Sequence, residues 1–222
     1  VHAEIVRRME EVGIGTRDFF EMPSLELCDR LGISRSTMFS RQSRDEAYHE
    51  AWEEVEFVKR HNIRCLYIGD EAYPDRLREC YDAPVMLYAL GDADLDAEHM
   101  MSVVGTRKAT QYGATFTHSL VKDLGESLCG NLTVVSGLAY GIDALAHSAS
   151  LECGLPTIAV LAHGLNMIYP AAHRDLAQRI VKSGGALVTE YTSKQKALRP
   201  HFLERNRVVA GLCDVTIVAE SD

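Results

Sequence analysis

The sequence predicts an α/β fold: an extended Rossmann-like, doubly wound and mainly parallel sheet, preceded by a small helical N-terminal domain. Three observations predict it. From Met100 onward, short apolar runs alternate with helical stretches, which is the pattern of repeated βα units. Loops of small residues follow the first two runs, as expected where a ligand or another backbone comes close. Residues 1–60 instead show a highly charged helical pattern.

We predict a SAM-like or helix-hairpin-like helical domain over residues 1–60. Its clearest helix opens at Asp45 and carries apolar residues at three- and four-residue spacing. The segment Leu27–Met38 also fits the turn and recognition helix of a helix-turn-helix, because it has a glycine in the turn and a polar start to the second helix. Duplex DNA reading by this segment stays open, although its neighbours are strongly acidic.

The domain over residues 61–222 begins with two short strands, Ile63–Ile68 and Pro84–Tyr88, on either side of a Tyr73-Pro74 turn. An acidic linker, residues 92–98, leads to five apolar runs typical of strands buried on both faces of a parallel sheet. Such sheets bind ligands just beyond the carboxyl ends of their strands. The predicted strands are Met100–Val104, Thr133–Ser136, Thr157–Leu161, Ala186–Thr189 and Val215–Val218, and the predicted helices lie near Gly113–Leu124, Asp143–Glu152, His173–Lys182 and Phe202–Leu212.

The composition is that of an ordinary globular protein, with 222 residues of which 46% are hydrophobic and 25% charged. No run approaches the roughly 18 apolar residues of a membrane span, and the N-terminus lacks the layout of a secretory signal. We therefore expect a soluble, cytoplasmic protein with no membrane partner. Six scattered cysteines without a close pair predict reduced thiols and no metal site.

The net charge of −9 is unevenly distributed along the chain. Residues 1–99 hold 12 Lys+Arg against 22 Asp+Glu, whereas residues 100–222 hold 11 against 10. The acidity thus belongs to the first part. The nearly neutral second part can still carry a local basic groove, because phosphate binding depends on how charge is distributed.

The first loop, Gly105, Thr106, Arg107 and Lys108, joins the first parallel strand to its helix. Glycine allows the backbone to approach a ligand, free amides at a helix start attract an anion, and a guanidinium can bind two phosphate oxygens at once. These features predict that the first loop binds phosphate. The alternative is that it forms an ordinary turn in which Arg107 and Lys108 are solvated. It is neither G-x-x-x-x-G-K-[ST] nor G-x-G-x-x-G, which argues against ATP and NAD. We expect no cofactor.

The second loop follows the next strand and contains Ser136, Gly137, Leu138, Ala139 and Tyr140. We expect its amides and the Ser136 hydroxyl to face the same crevice as the first loop, with Tyr140 available as a stacking platform. The alternative is that these small residues merely permit close packing of a strand against a helix.

Asp143 and His147 stand four residues apart on the following helix and imitate part of a catalytic triad or metal site. Ser136 lacks the G-x-S-x-G elbow that exposes a nucleophile, and two ligands do not make a metal site. We expect no catalytic residue and no metal. Asp143 is predicted to support the loop through hydrogen bonds, and His147 to pack with its nitrogens satisfied.

The last predicted helix carries Arg205, Asn206 and Arg207. Phe202 and two later apolar residues define the face expected to pack on the sheet, and helical spacing places Arg205 and Asn206 on or beside that face. A buried guanidinium needs partners, so these two residues either brace the loops from below or reach ligand. We expect bracing, and we expect Arg207 to contact the ligand. The candidate partners for bracing are Glu190 and Glu220.

Taken together, these strings resemble the DNA-processing protein A family, DprA, also called Smf. The resemblance spans residues 63–222 in the family's order. The matching residues are Tyr73-Pro74, Leu77, Pro84, Leu87-Tyr88, Gly91, Val104 to Thr110, Tyr112-Gly113, Ser136 to Asp143, Ala146-His147, Thr157 to Leu161, Tyr169-Pro170, Glu190 and Arg205 to Arg207.

The resemblance implies a protein that binds single-stranded DNA and loads the recombinase RecA onto it during natural transformation. It also implies a homodimer that acts without a cofactor and is not an enzyme. Carried over by position, the first loop and the Ser136-Gly137 loop contact the DNA backbone. Ala162-His163 depart from the family's pattern, and the chain stops at Asp222 before the family's α/β domain ends, which predicts a C-terminal truncation.

Two other functions stay open. Related Rossmann-like folds bind nucleotides or hydrolyse phosphoribosyl compounds, although this chain lacks the P-G-G-x-G-T loop and nearby Glu of those enzymes. A transcription regulator would instead work through Leu27–Met38 and depend on Arg35.

Overall fold

The computed structural model describes residues 2–34, 36 and 39–221. The chain divides into two compact units, residues 1–62 and 63–222. None of the helices within the described residues is both long enough and apolar enough to cross a membrane.

The described residues of the first unit form four α-helices, α1 His2–Glu11, α2 Thr16–Glu21, α3 Ser24–Leu31 and α4 Arg41–Arg60. Its core includes Leu27 and Leu31 on α3, which are at most 3% exposed. Arg44 is also buried and donates hydrogen bonds to the Met22 carbonyl at 2.8 Å and the Ser24 hydroxyl at 3.1 Å. A guanidinium inside this small core is thus held by the chain between α2 and α3.

Helix α4 begins four residues earlier than predicted, at Arg41 instead of Asp45. Ser40 explains the difference, because its side-chain oxygen accepts a hydrogen bond from the Ser43 amide at 3.1 Å and so caps the first turn. The cap therefore allows the helix to begin at Arg41, although the first turn is charged and shows little apolar periodicity.

The segment Leu27–Met38, which resembles the turn and recognition helix of a helix-turn-helix, is described only in part. Helix α3 ends at Leu31 and is followed by Gly32, which adopts a left-handed conformation with φ 62°. Ser34 and Ser36 are not helical, and the next α-helix begins at Arg41. Arg35, Thr37 and Met38 lie outside the described residues. The described part of the segment therefore shows a helix end without the second helix of a helix-turn-helix.

The second unit is a seven-stranded sheet with the strand order β1-β2-β6-β5-β4-β3-β7. β1 and β2 are antiparallel to their neighbours, and the other five strands are parallel to one another. All five parallel strands lie where the apolar runs predicted them. The strands are β1 Arg64–Tyr67, β2 Met86–Gly91, β3 Met100–Gly105, β4 Thr133–Ser136, β5 Thr157–Val160, β6 Ala186–Thr189 and β7 Val215–Glu220.

Helices lie on both faces of this sheet, as a doubly wound fold requires. The edge strand β7 is the exception to the predicted burial on both faces, because Val215 and Val218 are 48% and 62% exposed. On one face, apolar residues of α6 and α7 enclose β3 and β4, and α8 encloses β5 and β6. On the other face, α5 and α9 contribute Leu77, Val208 and Val209 to a core shared with six of the strands, β1 to β6. The helices are α5 Asp75–Arg78, α6 Gln111–Ser127, α7 Ile142–Glu152, α8 Arg174–Lys182 and α9 Arg199–Gly211, with a short 3-10 helix at Ala171–His173.

The strand order reverses at β3, which has β4 on one side and β7 on the other. In open α/β sheets the crevice for a ligand lies at such a switch point, outside the carboxyl ends of the strands. The first and second loops both leave the sheet at this edge. The topology therefore predicts a ligand site at the carboxyl edge of the sheet around β3.

Candidate functional site

The first and second loops are in direct contact at the carboxyl edge of the sheet. The Ile142 amide donates a hydrogen bond to the Thr106 carbonyl at 3.2 Å. Gly141 has φ 75°, and a Cβ at this position would lie 2.1 Å from the Thr106 carbonyl oxygen. Only glycine permits this approach. The two loops therefore lie side by side at this edge of the sheet.

The start of α6 already holds an anion from within the chain. One carboxylate oxygen of Glu220, Oε2, accepts a hydrogen bond from the Thr110 amide at 2.9 Å, and the Thr110 hydroxyl accepts from the Gly113 amide at 3.1 Å. A Cβ on Gly113 would lie 2.1 Å from the same carboxylate oxygen. The prediction that free amides of this helix start meet the ligand is thus wrong for Thr110 and Gly113, because internal acceptors occupy them.

Arg107 and Lys108 are the exposed cations of the first loop. The Arg107 guanidinium lies 5.5 Å from the centroid of the Phe202 ring, which supports it from the side of α9. The Phe202 ring in turn contacts the half-exposed Tyr169 ring edge-to-face, with centroids 5.6 Å apart. These three side chains, Arg107, Phe202 and Tyr169, form what we call the rim cluster.

Phe202 was predicted to pack on the sheet, and that prediction is wrong. Its helix begins beyond the carboxyl ends of the strands, so the first turn of α9 faces the first loop and only later residues such as Val208 and Val209 reach the core. Arg199 stands one turn before Phe202 and is exposed, as is Lys196 in the preceding segment. Sequence reasoning missed both cations, since no local pattern marks where a helix projects past its sheet.

The second loop presents one side chain, Tyr140, prominently to solvent. Tyr140 is half exposed and meets the His173 ring edge-to-face, with centroids 4.9 Å apart. Ser136 is fully buried, and its hydroxyl donates a hydrogen bond to the Val103 carbonyl at 2.6 Å. The expectation that this hydroxyl faces the crevice is therefore wrong. Gly137 and Leu138 are buried as well, and Ala139 is partly exposed.

Arg205 braces the second loop from beneath, as predicted, but through backbone carbonyls and not through Glu190 or Glu220. The side chain is 4% exposed, and Nη1 donates to the Gly137 carbonyl at 2.6 Å and to the Val160 carbonyl. Its Nε donates to Asn206 Oδ1 at 3.2 Å. A Cβ on Gly137 would lie 2.2 Å from Arg205 Nη1, so the glycine leaves the space that the guanidinium fills.

Arg207, predicted to contact the ligand, is placed against two carboxylates. Its Nη2 donates to Glu190 Oε2, and its Nε lies 3.7 Å from Asp82 Oδ2. Burial raises the pKa of Glu190, and the neighbouring Arg207 opposes that increase. The positive charge of Arg207 is thus largely offset within the chain, whereas that of Arg107 is not.

Asp143 supports the second loop as predicted, since its carboxylate accepts a hydrogen bond from the Ala139 amide at 3.3 Å. Burial raises the pKa of Asp143, and the positive charge of Arg205 acts in the opposite direction. The two buried groups therefore stabilise each other's charged forms beneath the loop.

His147 is completely buried, and among the described residues only one of its two nitrogens has a hydrogen-bond partner. Nδ1 lies 2.7 Å from the Thr157 hydroxyl, which itself donates to the Val134 carbonyl, so Nδ1 must carry the proton and donate to Thr157. Nε2 has no partner. Burial lowers the pKa of His147 to about 3. The ring is a neutral core residue, and the prediction that both nitrogens are satisfied is wrong for Nε2.

This burial predicts a loss of stability in mild acid. Because the pKa of His147 is about 3 in the folded chain and 6.5 ordinarily, the unfolded chain binds one more proton between these values. Stability from this group is complete above pH 6.5 and falls by about 1.4 kcal/mol per pH unit below it. Urea unfolding at pH 7 and pH 5 should show a loss about 2 kcal/mol larger for the parent than for His147→Gln. Equal losses would contradict a neutral, buried His147.

The chain is similar to known proteins both in sequence and in fold. The family model of DNA recombination-mediator protein A matches residues 64–222. The DNA processing protein DprA of Streptococcus pneumoniae is 41% identical over 154 residues, which are 69% of this chain and 53% of that protein. The DprA of Bacillus subtilis is 35% identical over 159 residues, 71% of this chain and 52% of that protein. The chain thus spans about half the length of these curated relatives.

Two solved structures resemble the fold. The X-ray structure of DprA from Streptococcus pneumoniae matches 97% of this chain and 71% of its own, with a TM-score of 0.78 and 33% identity. A DprA structure from Helicobacter pylori, described as showing a unique single-stranded DNA binding mode, matches 72% of this chain and 70% of its own, with a TM-score of 0.63 and 30% identity.

Proposed function

Because the chain belongs to the DNA recombination-mediator protein A family, we propose that it binds single-stranded DNA with little sequence preference and passes the strand to the recombinase RecA. The Helicobacter pylori relative, whose structure is described by its single-stranded DNA binding mode, supports the choice of ligand. The proposal includes a homodimer, a role in natural transformation and no catalysed reaction, and it treats residues 1–60 as a separate helical domain.

The rim cluster is the observation that carries the proposal. Arg107 presents a guanidinium that is exposed and supported by the Phe202 ring. Lys108, the next residue of the first loop, and Arg199, one turn before Phe202 on α9, are exposed cations as well. Proteins that hold single strands combine cations for the phosphates with ring faces for the unpaired bases. Tyr140 and Tyr169, each about half exposed, supply such rings at the same edge of the sheet.

The positions proposed to contact DNA separate into side-chain and backbone contacts. Arg107, Lys108 and Tyr140 act through exposed side chains, whereas the buried Ser136, Gly137 and Leu138 shape the floor of the crevice. Arg205 and Asp143 act from beneath by holding the second loop, and the exposed Asn206 accepts a hydrogen bond from Arg205 Nε. Arg207 is the weakest candidate for a phosphate contact, because Glu190 and Asp82 already compensate its charge.

The experiment that tests the function is a fluorescence anisotropy titration with oligonucleotides of several lengths and compositions, repeated across salt concentrations. We expect affinity to rise with the length of the single strand until the site is filled, and to fall with salt by a slope of about 0.7 per phosphate contacted. A duplex of the same length should bind at least about tenfold more weakly, since its bases cannot stack on the exposed rings.

Nucleoside monophosphates are the control that separates DNA binding from nucleotide sensing. We expect them not to compete with the oligonucleotide, because the carboxylate of Glu220 already fills the start of α6. Tight mononucleotide binding without length dependence would favour the nucleotide-binding alternative. Preferential binding of duplex would favour a transcription regulator and would contradict the proposal.

A further inference from the structure

An open apolar groove lies between α8 and the sheet, and the loop after β5 forms one of its ends. Its volume is about 470 Å³. Leu187 of β6 and Leu90 of β2 contribute to its floor, Leu165 and Ile168 come from the loop after β5, and Val181 comes from α8. These residues belong to, or pack against, the core between α8 and the sheet. The groove is therefore a place where that core is open to solvent.

One wall of the groove is a row of polar side chains on α8. Arg174, Gln178 and Lys182 line it at successive spacings of four residues, which places them on one face of the helix. All three are exposed. Within the part of the chain that the structure describes, neither Arg174 nor Lys182 forms an ion pair with a carboxylate. Two uncompensated cations thus border an aliphatic floor.

We infer that this groove binds an acidic protein segment whose large aliphatic side chains enter the floor while its carboxylates pair with Arg174 and Lys182. The inference rests on the lining of the groove and not on the proposed function. The groove ends beside the proposed DNA site, because Ile168 precedes Tyr169 of the rim cluster and Arg174 follows His173, which contacts Tyr140. Unpaired cations attract an anionic partner, and the aliphatic floor stabilises that partner through burial of apolar surface.

The spacing of the cations favours a polypeptide over a small amphiphile. Arg174 and Lys182 are eight positions apart on α8, which corresponds to about 12 Å along the helix axis. A fatty acid carries one carboxylate and cannot reach both cations, whereas an acidic segment carries several. The aliphatic floor also argues against nucleic acid, because the lining residues include no aromatic ring on which a base could stack.

Selection from a phage-displayed library of random 12-residue peptides on the purified chain tests the inference. Recovered peptides are measured one at a time by fluorescence anisotropy against the parent and against the double charge reversal Arg174→Glu/Lys182→Glu. The matched control is Arg179→Glu, which reverses an exposed arginine of the same helix that does not line the groove. The Arg107→Ala/Lys108→Ala variant identifies peptides that occupy the DNA site instead.

We expect recovered peptides to contain at least two carboxylates and a large aliphatic residue. Their affinity should fall by at least about tenfold in the groove variant and by less than about twofold in Arg179→Glu. Replacing their carboxylates with lysine should transfer binding to the reversed groove. A library that yields no peptide dependent on Arg174 and Lys182, or peptides that bind both reversed proteins equally, would overturn the inference. The substituted side chains are exposed, and circular dichroism verifies that the fold is retained.

Discussion

Replacing Arg107 with alanine is expected to weaken binding of single-stranded oligonucleotides of every sequence by about tenfold, and to reduce the salt slope by about 0.7. Arg107 is exposed, and among the described residues it pairs with no carboxylate, so its charge remains available for a phosphate. A hydrogen bond to a charged group contributes about 1.5–3 kcal/mol, which is consistent with a change of this size. The measurement is a titration at three or more salt concentrations.

The Phe202 ring gives this prediction a second test. The guanidinium of Arg107 lies 5.5 Å from the ring centroid, so the ring limits the orientations that the cation can adopt. Phe202→Leu should therefore weaken binding less than Arg107→Ala and should leave the salt slope unchanged, because no charge is lost. Arg179→Ala, an exposed arginine in the last turn of α8, is the matched control and should change neither quantity. Unchanged affinity in Arg107→Ala would remove the first loop from the proposed site.

Arg107 and Arg207 show what sequence reasoning can and cannot separate. Both were predicted as ligand contacts, because each is a cation near a strand mouth. Only the three-dimensional structure shows that Glu190 and Asp82, which are 17 and 125 residues distant from Arg207 in the chain, compensate one of them. Whether a carboxylate compensates a given cation depends on contacts between residues distant in the chain. A local sequence pattern does not reveal such contacts.

The parallel strands were predictable from their continuous apolar runs, and all five runs are strands. Burial on both faces accounts for the runs of β3 to β6. It does not account for β7, whose Val215 and Val218 are exposed at the edge of the sheet. The orientation of a single side chain at the end of a strand was not. Ser136 is the last residue of β4, and the sequence alone is consistent with its hydroxyl pointing to solvent or to the core. The structure turns it toward Val103 on the adjacent strand β3. A shift of one residue in the strand register would place such a side chain on the opposite face of the sheet.

Glu220 was named only as a partner for Arg205, and its actual position depends on the sheet. A register shift in the pairing of β3 with β7 places Gly105 opposite Glu220. The Glu220 carboxylate thereby reaches the start of α6, more than 100 residues earlier in the chain. No local sequence pattern predicts this contact. Gly113 is the one indirect indication, because a side chain at that position would collide with the Glu220 carboxylate.

Replacing Arg205 with methionine is expected to lower the free energy of unfolding by about 3–5 kcal/mol, the usual cost of removing one partner of a buried charged pair. The change leaves the Gly137 and Val160 carbonyls without their donor and removes the positive charge that opposes the increase in the pKa of Asp143. Urea denaturation at pH 7 measures the loss. Arg199→Met, an exposed arginine at the start of the same helix, is the matched control and should cost less than about 0.5 kcal/mol.

A second substitution distinguishes a buried charge pair from simple loss of packing. If Arg205 and Asp143 stabilise each other, Asp143→Asn in the Arg205→Met background should restore part of the lost stability, because it removes the carboxylate that was left unpaired. Additive losses from the two substitutions would contradict the coupling. Because Arg205 and Asp143 both hold the second loop, Arg205→Met should also lose affinity for single-stranded DNA. The double variant should regain part of that affinity. Restored stability without restored binding would show that Arg205 holds the fold but not the loop geometry that the strand requires.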